Sequence, residues 1–195
     1  VNKKYVNDLR RMIGMFNPEF GHTNFMQQDV DDFINILLQV LHMELNTGDG
    51  VDIRYVYNPN QSLDENVRNT LSSYFSHHDS IISRLFTVLQ KSTLRCNKCG
   101  GQRSYLEPSY TCNVILPKNK VDDVNLQTLL DNYRVQEVLE DPVYCDGLCK
   151  YENNNRDIKT THTKIMENVY FSPIVKIVLV RFKGEGKHRQ KNDMM

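Results

Sequence analysis

Apolar residues recur at three- and four-residue steps from Val30 to Leu45. Val30, Phe33, Ile34, Leu37, Leu38, Leu41 and Leu45 line one face, with Gln28, Asp31, Asn35, Gln39 and His42 opposite. This period predicts an amphipathic helix. Asn24 or Thr23 supplies a cap, and Asp29, Asp31 and Asp32 stand where the helix dipole favours negative charge. Asn46 to Gly50 ends it. A shorter pattern, Val6, Leu9, Met12, Ile13 and Phe16, predicts a helix before the Asn17-Pro18 loop. Residues 51–79 are polar and asparagine-rich, and predict an elaborated loop or a short helix. Ile82, Leu85, Phe86, Val88 and Leu89 then predict a turn into a strand that delivers Cys96. Tyr110 to Leu116 alternates as a strand stopped by Pro117, and Asn125 opens a helix through Leu126, Leu129, Leu130, Tyr133 and Val138. Asp157 to Met166 alternates as an exposed ribbon. Ile174 to Phe182, introduced by Pro173, is apolar enough for a strand buried on both faces. The order points to the α+β class, with helices and sheet segregated in one domain.

Composition narrows the chemistry. The 195 residues balance lysine plus arginine against aspartate plus glutamate at 24 each, so bulk charge signals neither nucleic acid nor membrane. No apolar run approaches a membrane span; the longest, Ile174 to Val180, is interrupted by Lys176. Five cysteines argue against a secreted disulfide framework, because four fall in two tight pairs: Cys96-Asn97-Lys98-Cys99-Gly100 and Cys145-Asp146-Gly147-Leu148-Cys149. The first pair has the spacing and trailing glycine of a zinc knuckle. In the second, Gly147 can absorb the extra residue in a wider turn. A structural zinc site of four thiolates, in a reducing cytoplasmic or nuclear setting, is the expectation. Ordinary thiols are the bland alternative, and His162 a substitute ligand. The site would clip together an excursion, Gly101 to Tyr144, whose apolar density is too low to hold itself closed. Cys112 alternates with apolar neighbours and reads as core.

Five segments, in order, resemble the ubiquitin-specific proteases. Gln27-Gln28-Asp29-Val30-Asp31-Asp32-Phe33 with its leucine-rich continuation is similar to that family's Gln-Gln-Asp-Ala-x-Glu-Phe helix. Ile82 and Phe86 lead into Leu94-x-Cys96-x-x-Cys99 as the family leads into its zinc knuckle. Ser109-Tyr110 opens a strand ending Leu116-Pro117, a helix carries Val135-x-Glu137, and Pro173 to Phe182 resembles the buried strand ending in Arg-Phe. The resemblance covers about residues 5 to 193. It implies a papain-like hand fold with a helical thumb (1–79), β fingers bearing zinc and adjoining palm (80–173), and a palm strand (174–195). It also implies hydrolysis of the isopeptide bond at the C-terminus of ubiquitin by a cysteine nucleophile and histidine base. Ubiquitin and ubiquitinated proteins are the implied partners. Gln28, Asp29 and Asp32 would meet ubiquitin's arginine-rich tail, where a carboxylate accepts a bidentate guanidinium. The family's usual glutamate is shortened here to Asp32.

The family's Gly-Asn-x-Cys-Tyr-type nucleophile segment does not occur before Asn24, and the chain stops before a Gly-His-Tyr-type segment. The expectation is therefore a central fragment, incomplete at both ends, inactive alone and poorly soluble. His22 reads as solvated, His77-His78-Asp79 as neighbours that diverge, and Lys183 to Lys191 as a basic loop.

Overall fold

The computed structural model describes residues 3–21, 28–116, 125–131, 134–149, 158–180, 182–183 and 190–191. His22, Thr23, Asn24, Gln27, Pro117, Tyr133 and Arg181 lie outside them. Helix α1 (Lys3–Phe16) forms where its period predicts, and a short 3-10 turn (Pro18–Phe20) capped by Asn17 follows. Ile13 is its one buried side chain; Val6, Leu9, Met12 and Phe16 remain exposed. Helix α2 (Val30–Leu45) starts later than its cap candidates Asn24 and Thr23 imply. Asp29 is the cap, accepting the Asp31 amide at 2.8 Å.

The faces of α2 also differ from the periodicity. Leu38, Val40 and His42 are buried, while Val30, Leu41 and Leu45 are exposed. His42, expected outward, accepts or donates at Ser80 Oγ through Nδ1 (2.7 Å) and faces His78 Nδ1 through Nε2 (3.3 Å). Asp31 and Asn35 on the polar face both bind the Lys176 ammonium, with Asp31 at 2.6 Å, and Asn35 also accepts the Thr111 hydroxyl at 3.0 Å. Polar residues thus face inward because they have partners there, which is the condition for burying them.

Residues 51–79 hold more structure than predicted. A two-residue strand β1 (Tyr55–Val56) precedes helix α3 (Leu63–His77). Ser62 and Glu65 form a reciprocal capping box that starts α3, so a polar stretch with weak apolar periodicity still folds as helix. A second capping box, Ser80 with Ser83, starts α4 (Ile81–Phe86), which packs on α2 and leads into β2 (Val88–Cys96). His77, His78 and Asp79 do diverge, toward Asp49, toward Asp52 and His42, and toward Arg84.

The described residues of the excursion after Gly101 form strands and a short helix. β3 (Gln102–Ser109) pairs antiparallel with β2 from Val88↔Ser109 to Arg95↔Gln102. β4 (Cys112–Ile115) follows, then a helix α5 (Leu126–Asp131) that ends early. The segment expected to carry it to Val138, Val135-x-Glu137 included, is instead strand β5 (Arg134–Val138). β-branched Val135 and Val138 and an available strand edge outweigh the helical spacing. Next come β6 (Val143–Tyr144), β7 (Lys159–Thr160) and β8 (His162–Phe171). The sheet order is β1-β3-β2-β8-β5, so β8 is interior rather than an exposed ribbon. The final apolar segment gives β9 (Ile177–Val180), parallel to β4, with Leu179 and Val180 part exposed rather than buried on both faces. Strands β10 (Phe182–Lys183) and β11 (Gln190–Lys191) pair across the basic stretch.

Val88, Cys112 and Val114 are fully buried, with Leu129, Leu130, Val175 and Ile177 against them. Each such valine contributes about 1.5–3 kcal/mol of burial. Cys112 is core, as expected, and its thiol accepts Asn168 Nδ2 at 3.2 Å.

Two outcomes follow. Lys176→Met strands Asp31 and Asn35, and should lower unfolding free energy by about 2–3 kcal/mol in urea melts, with part recovered by Asp31→Asn in the same chain. Burial, and then the charge on His78, holds His42 below its ordinary pKa of 6.5. The unfolded chain then takes up that proton first, so this contribution is whole above pH 6.5 and shrinks as pH falls through the lowered folded value. The urea midpoint should drop between about pH 7 and about pH 5, and less steeply in His42→Gln.

Candidate metal centre

The first knuckle is the turn of the β2–β3 hairpin. Cys96 ends β2, its amide donates to the Gly101 carbonyl at 2.8 Å, and the Gly100 amide returns to the Cys96 carbonyl at 3.0 Å. Gly100 takes φ +71°, a conformation that costs a residue without a Cβ least. The second knuckle follows β6, whose pairing with β7 sets Val143 opposite Thr160 and Tyr144 opposite Lys159. The Cys145 amide donates to the Ile158 carbonyl at 2.9 Å. Because β7 runs on into β8, which pairs Cys96 with His162, the second knuckle is carried to the first.

The four sulfur atoms of Cys96, Cys99, Cys145 and Cys149 lie within 4.8 Å of one another. Cys96 to Cys149 is 3.9 Å and Cys99 to Cys145 is 3.5 Å. Metal–thiolate bonds of about 2.3 Å at tetrahedral angles require sulfur–sulfur edges of about 3.8 Å, which these distances bracket. The set can hold a metal ion. All five thiols are free of disulfides; Cys96, Cys145 and Cys149 are buried and Cys99 part exposed. Amides inside the turns point at sulfur, Gly101 at Cys99 (3.4 Å) and Gly147 at Cys145 (3.3 Å).

The extra residue between Cys145 and Cys149 is accommodated where the turns touch. A Cβ on Gly147 would sit 3.1 Å from Cys99 Sγ and 3.2 Å from the Gly101 Cα, so the two knuckles meet glycine to glycine. Gly101 carried no sequence signal beyond following Gly100. His162, considered as a ligand, is absent from the cluster. Its Nδ1 lies 2.8 Å from the Thr160 carbonyl.

The thiols titrate unequally. Burial pushes Cys96 up, but the Thr160 hydroxyl and the Cys99 and Lys98 amides outweigh it and bring Cys96 to about 6. The Cys149 and Gly101 amides lower Cys99. Burial raises Cys145, and burial with three neighbouring thiols raises Cys149 to about 12. A bound cation reverses the second pair by displacing their protons.

Of the other site residues read from sequence, Asp29 and Asp32 are exposed at the start of α2, and Gln28 is half-buried just before it. They belong to a separate part of the chain from the sulfur cluster.

The four sulfurs thus meet at the joined tips of two β hairpins, on a sheet attached to helices. The model for the ubiquitin carboxyl-terminal hydrolase family matches residues 3–195, and the chain belongs to that family. Ubiquitin carboxyl-terminal hydrolase 2 of Gallus gallus is 27% identical over 187 residues, covering 90% of this chain and 47% of the relative. Ubiquitin carboxyl-terminal hydrolase 2 of Homo sapiens is 29% identical over 147 residues, covering 71% of this chain and 23% of the relative. The SAGA Ubp8/Sgf11/Sus1/Sgf73 DUB module aligns over 92% of this chain and 33% of that one at 15% identity, with a TM-score of 0.45. The chain spans about half or less of the length of these relatives. Family membership brings the hand fold expected from the sequence. Among the described residues no helix is long and apolar enough to cross a membrane.

Gly147→Ala should weaken metal binding roughly tenfold or more, because the added methyl presses on Cys99 Sγ and on backbone that cannot yield cheaply. Competition with a chromophoric chelator measures it.

Proposed function

We propose that this chain is the ubiquitin-holding part of a deubiquitinating cysteine peptidase, a thiol-dependent ubiquitinyl hydrolase that cleaves the isopeptide bond at the ubiquitin C-terminus. Residues 1–79 serve as thumb, 80–173 as fingers and adjoining palm, and 174–195 as palm strand. Cys96, Cys99, Cys145 and Cys149 hold a zinc ion, whose role is structural because four thiolates leave it no open position for a water or substrate. Reduced, clustered thiols suit a cytoplasmic or nuclear compartment.

The observation that carries this division of labour is the state of the thiols. Four are committed to the cluster, and the fifth, Cys112, is fully buried, bonded to Asn168 and pushed up in pKa by burial. None is an accessible thiolate poised beside a base, which a cysteine nucleophile requires. The catalytic cysteine is therefore supplied from outside these residues. A non-catalytic ubiquitin-binding scaffold fits the same thiols, and is the second reading. Cleavage of a ubiquitin–fluorophore amide by the parent polypeptide separates the two.

Binding falls to the first turn of α2. Lys176 takes Asp31, and the Asp29 cap uses one carboxylate oxygen. Exposed Asp32 and the second oxygen of Asp29 are left to receive the basic tail, with Gln28 beside them. Helix-dipole and capping stabilisation alone are worth about 0.3–1 kcal/mol and would not depend on ubiquitin.

Titration of ubiquitin onto the chain tests this. Asp32→Arg should weaken binding at least tenfold with little change in stability, and Asp29→Arg should do so while also costing about 1 kcal/mol for the lost cap. A ubiquitin probe with a C-terminal electrophile should leave all five thiols unlabelled. Unchanged affinity in both variants would remove the tail-binding role, and rapid labelling of Cys112 would remove the division of labour.

A further inference from the structure

Most donors around the sulfurs are backbone amides of the knuckles themselves, which any such turn provides. Cys96 has a different neighbour. The hydroxyl of Thr160, 64 residues along the chain, lies 3.1 Å from its Sγ. Thr160 belongs to β7 and is paired with Val143 of β6, the strand that delivers Cys145. Its carbonyl lies 2.8 Å from Nδ1 of His162, the residue opposite Cys96 in the β2–β8 register. One residue therefore touches both halves of the centre.

The hydrogen-bond direction follows from the partners. A carbonyl can only accept, so the contact from His162 places the proton on Nδ1. That nitrogen is then no acceptor for the Thr160 hydroxyl, which lies 3.5 Å away. Among the described residues, the acceptor left to it is Cys96 Sγ. Four thiolates around a dication keep a net charge of about −2, which surrounding N–H and O–H donors disperse.

We propose that Thr160 is a positioning residue of the metal centre. Its hydroxyl donates to the Cys96 thiolate, holds that sulfur toward the ion, and ties the hairpin bearing Cys145 and Cys149 to the strand bearing Cys96. His162 is its support: it orients the Thr160 backbone and does not ligate. The proposal rests on the reading that the four cysteines bind zinc.

The experiment is zinc competition against a chromophoric chelator, with the full chain carrying Thr160→Val or Thr160→Ser. Valine keeps the shape and strand preference while removing the donor; serine keeps the donor and removes the methyl. Valine should lower zinc affinity about 10–100-fold at unchanged stoichiometry, and serine should stay within about threefold of the parent. Valine binding as tightly as the parent overturns the proposal. So does serine binding as weakly as expected for valine, because packing of the methyl would then hold the site, and that arm stands even if the valine chain does not fold. A parent chain that takes up no zinc overturns the zinc reading instead.

Discussion

Four sulfur atoms within 4.8 Å of one another are the constraint on which the distal half of this molecule depends. Thiolates at that separation repel, and thiols in so buried a place offer little in exchange. A cation converts the contact into the strongest local attraction available, on the order of 10–16 kcal/mol for structural zinc in small peptides. The β6–β7 pair would gain most from a bound ion, because two residues per strand do not make an independent hairpin. The longer β2–β3 and β2–β8 pairings are secured along their own lengths, and lend the sulfur cluster one rigid side.

Away from the sulfur cluster the organising contact is an ion pair. Lys176 interrupts an apolar strand, yet its ammonium is almost wholly covered, and Asp31 and Asn35 of α2 receive it. Removing a lysine from water is costly unless a charge and a hydrogen-bonding oxygen replace the solvent, and both come from one helical turn. This spends one of the three acids at the start of α2, the Asp29 cap and the first-turn Asp31 and Asp32. Helix placement and the charge left exposed at the start of α2 are then set by the same contact.

The four-cysteine cluster was legible because cysteine spacing is a local signal and two knuckles place four sulfurs with little tertiary information. The Gln-Gln-Asp helix was legible as an element, but not in orientation. Periodicity assigns polar residues outward, and His42, Asp31 and Asn35 turn inward only because Ser80, His78 and Lys176 meet them from distant segments. Helix α3 was hidden for another reason: its start depends on the Ser62–Glu65 capping box more than on an apolar stripe. Val135 to Val138 continued a helical spacing that an open edge beside β8 overrode. Thr160 carried no sequence signal, since its partner sulfur is chosen by strand register.

Strand β2 runs from the core at Val88 to the sulfur cluster at Cys96, with a register shift against β8 between Leu89 and Gln90. Eight steps of about 3.3 Å make this an arm of about 26 Å. The irregularity lies at its root, where strands bend and twist most readily. A turn of about 5° there would swing the cysteine-bearing tip by about 2 Å while barely disturbing the packed end. An ion joining the four sulfurs would make these strands move as one piece, a stiff lever pivoting at its root.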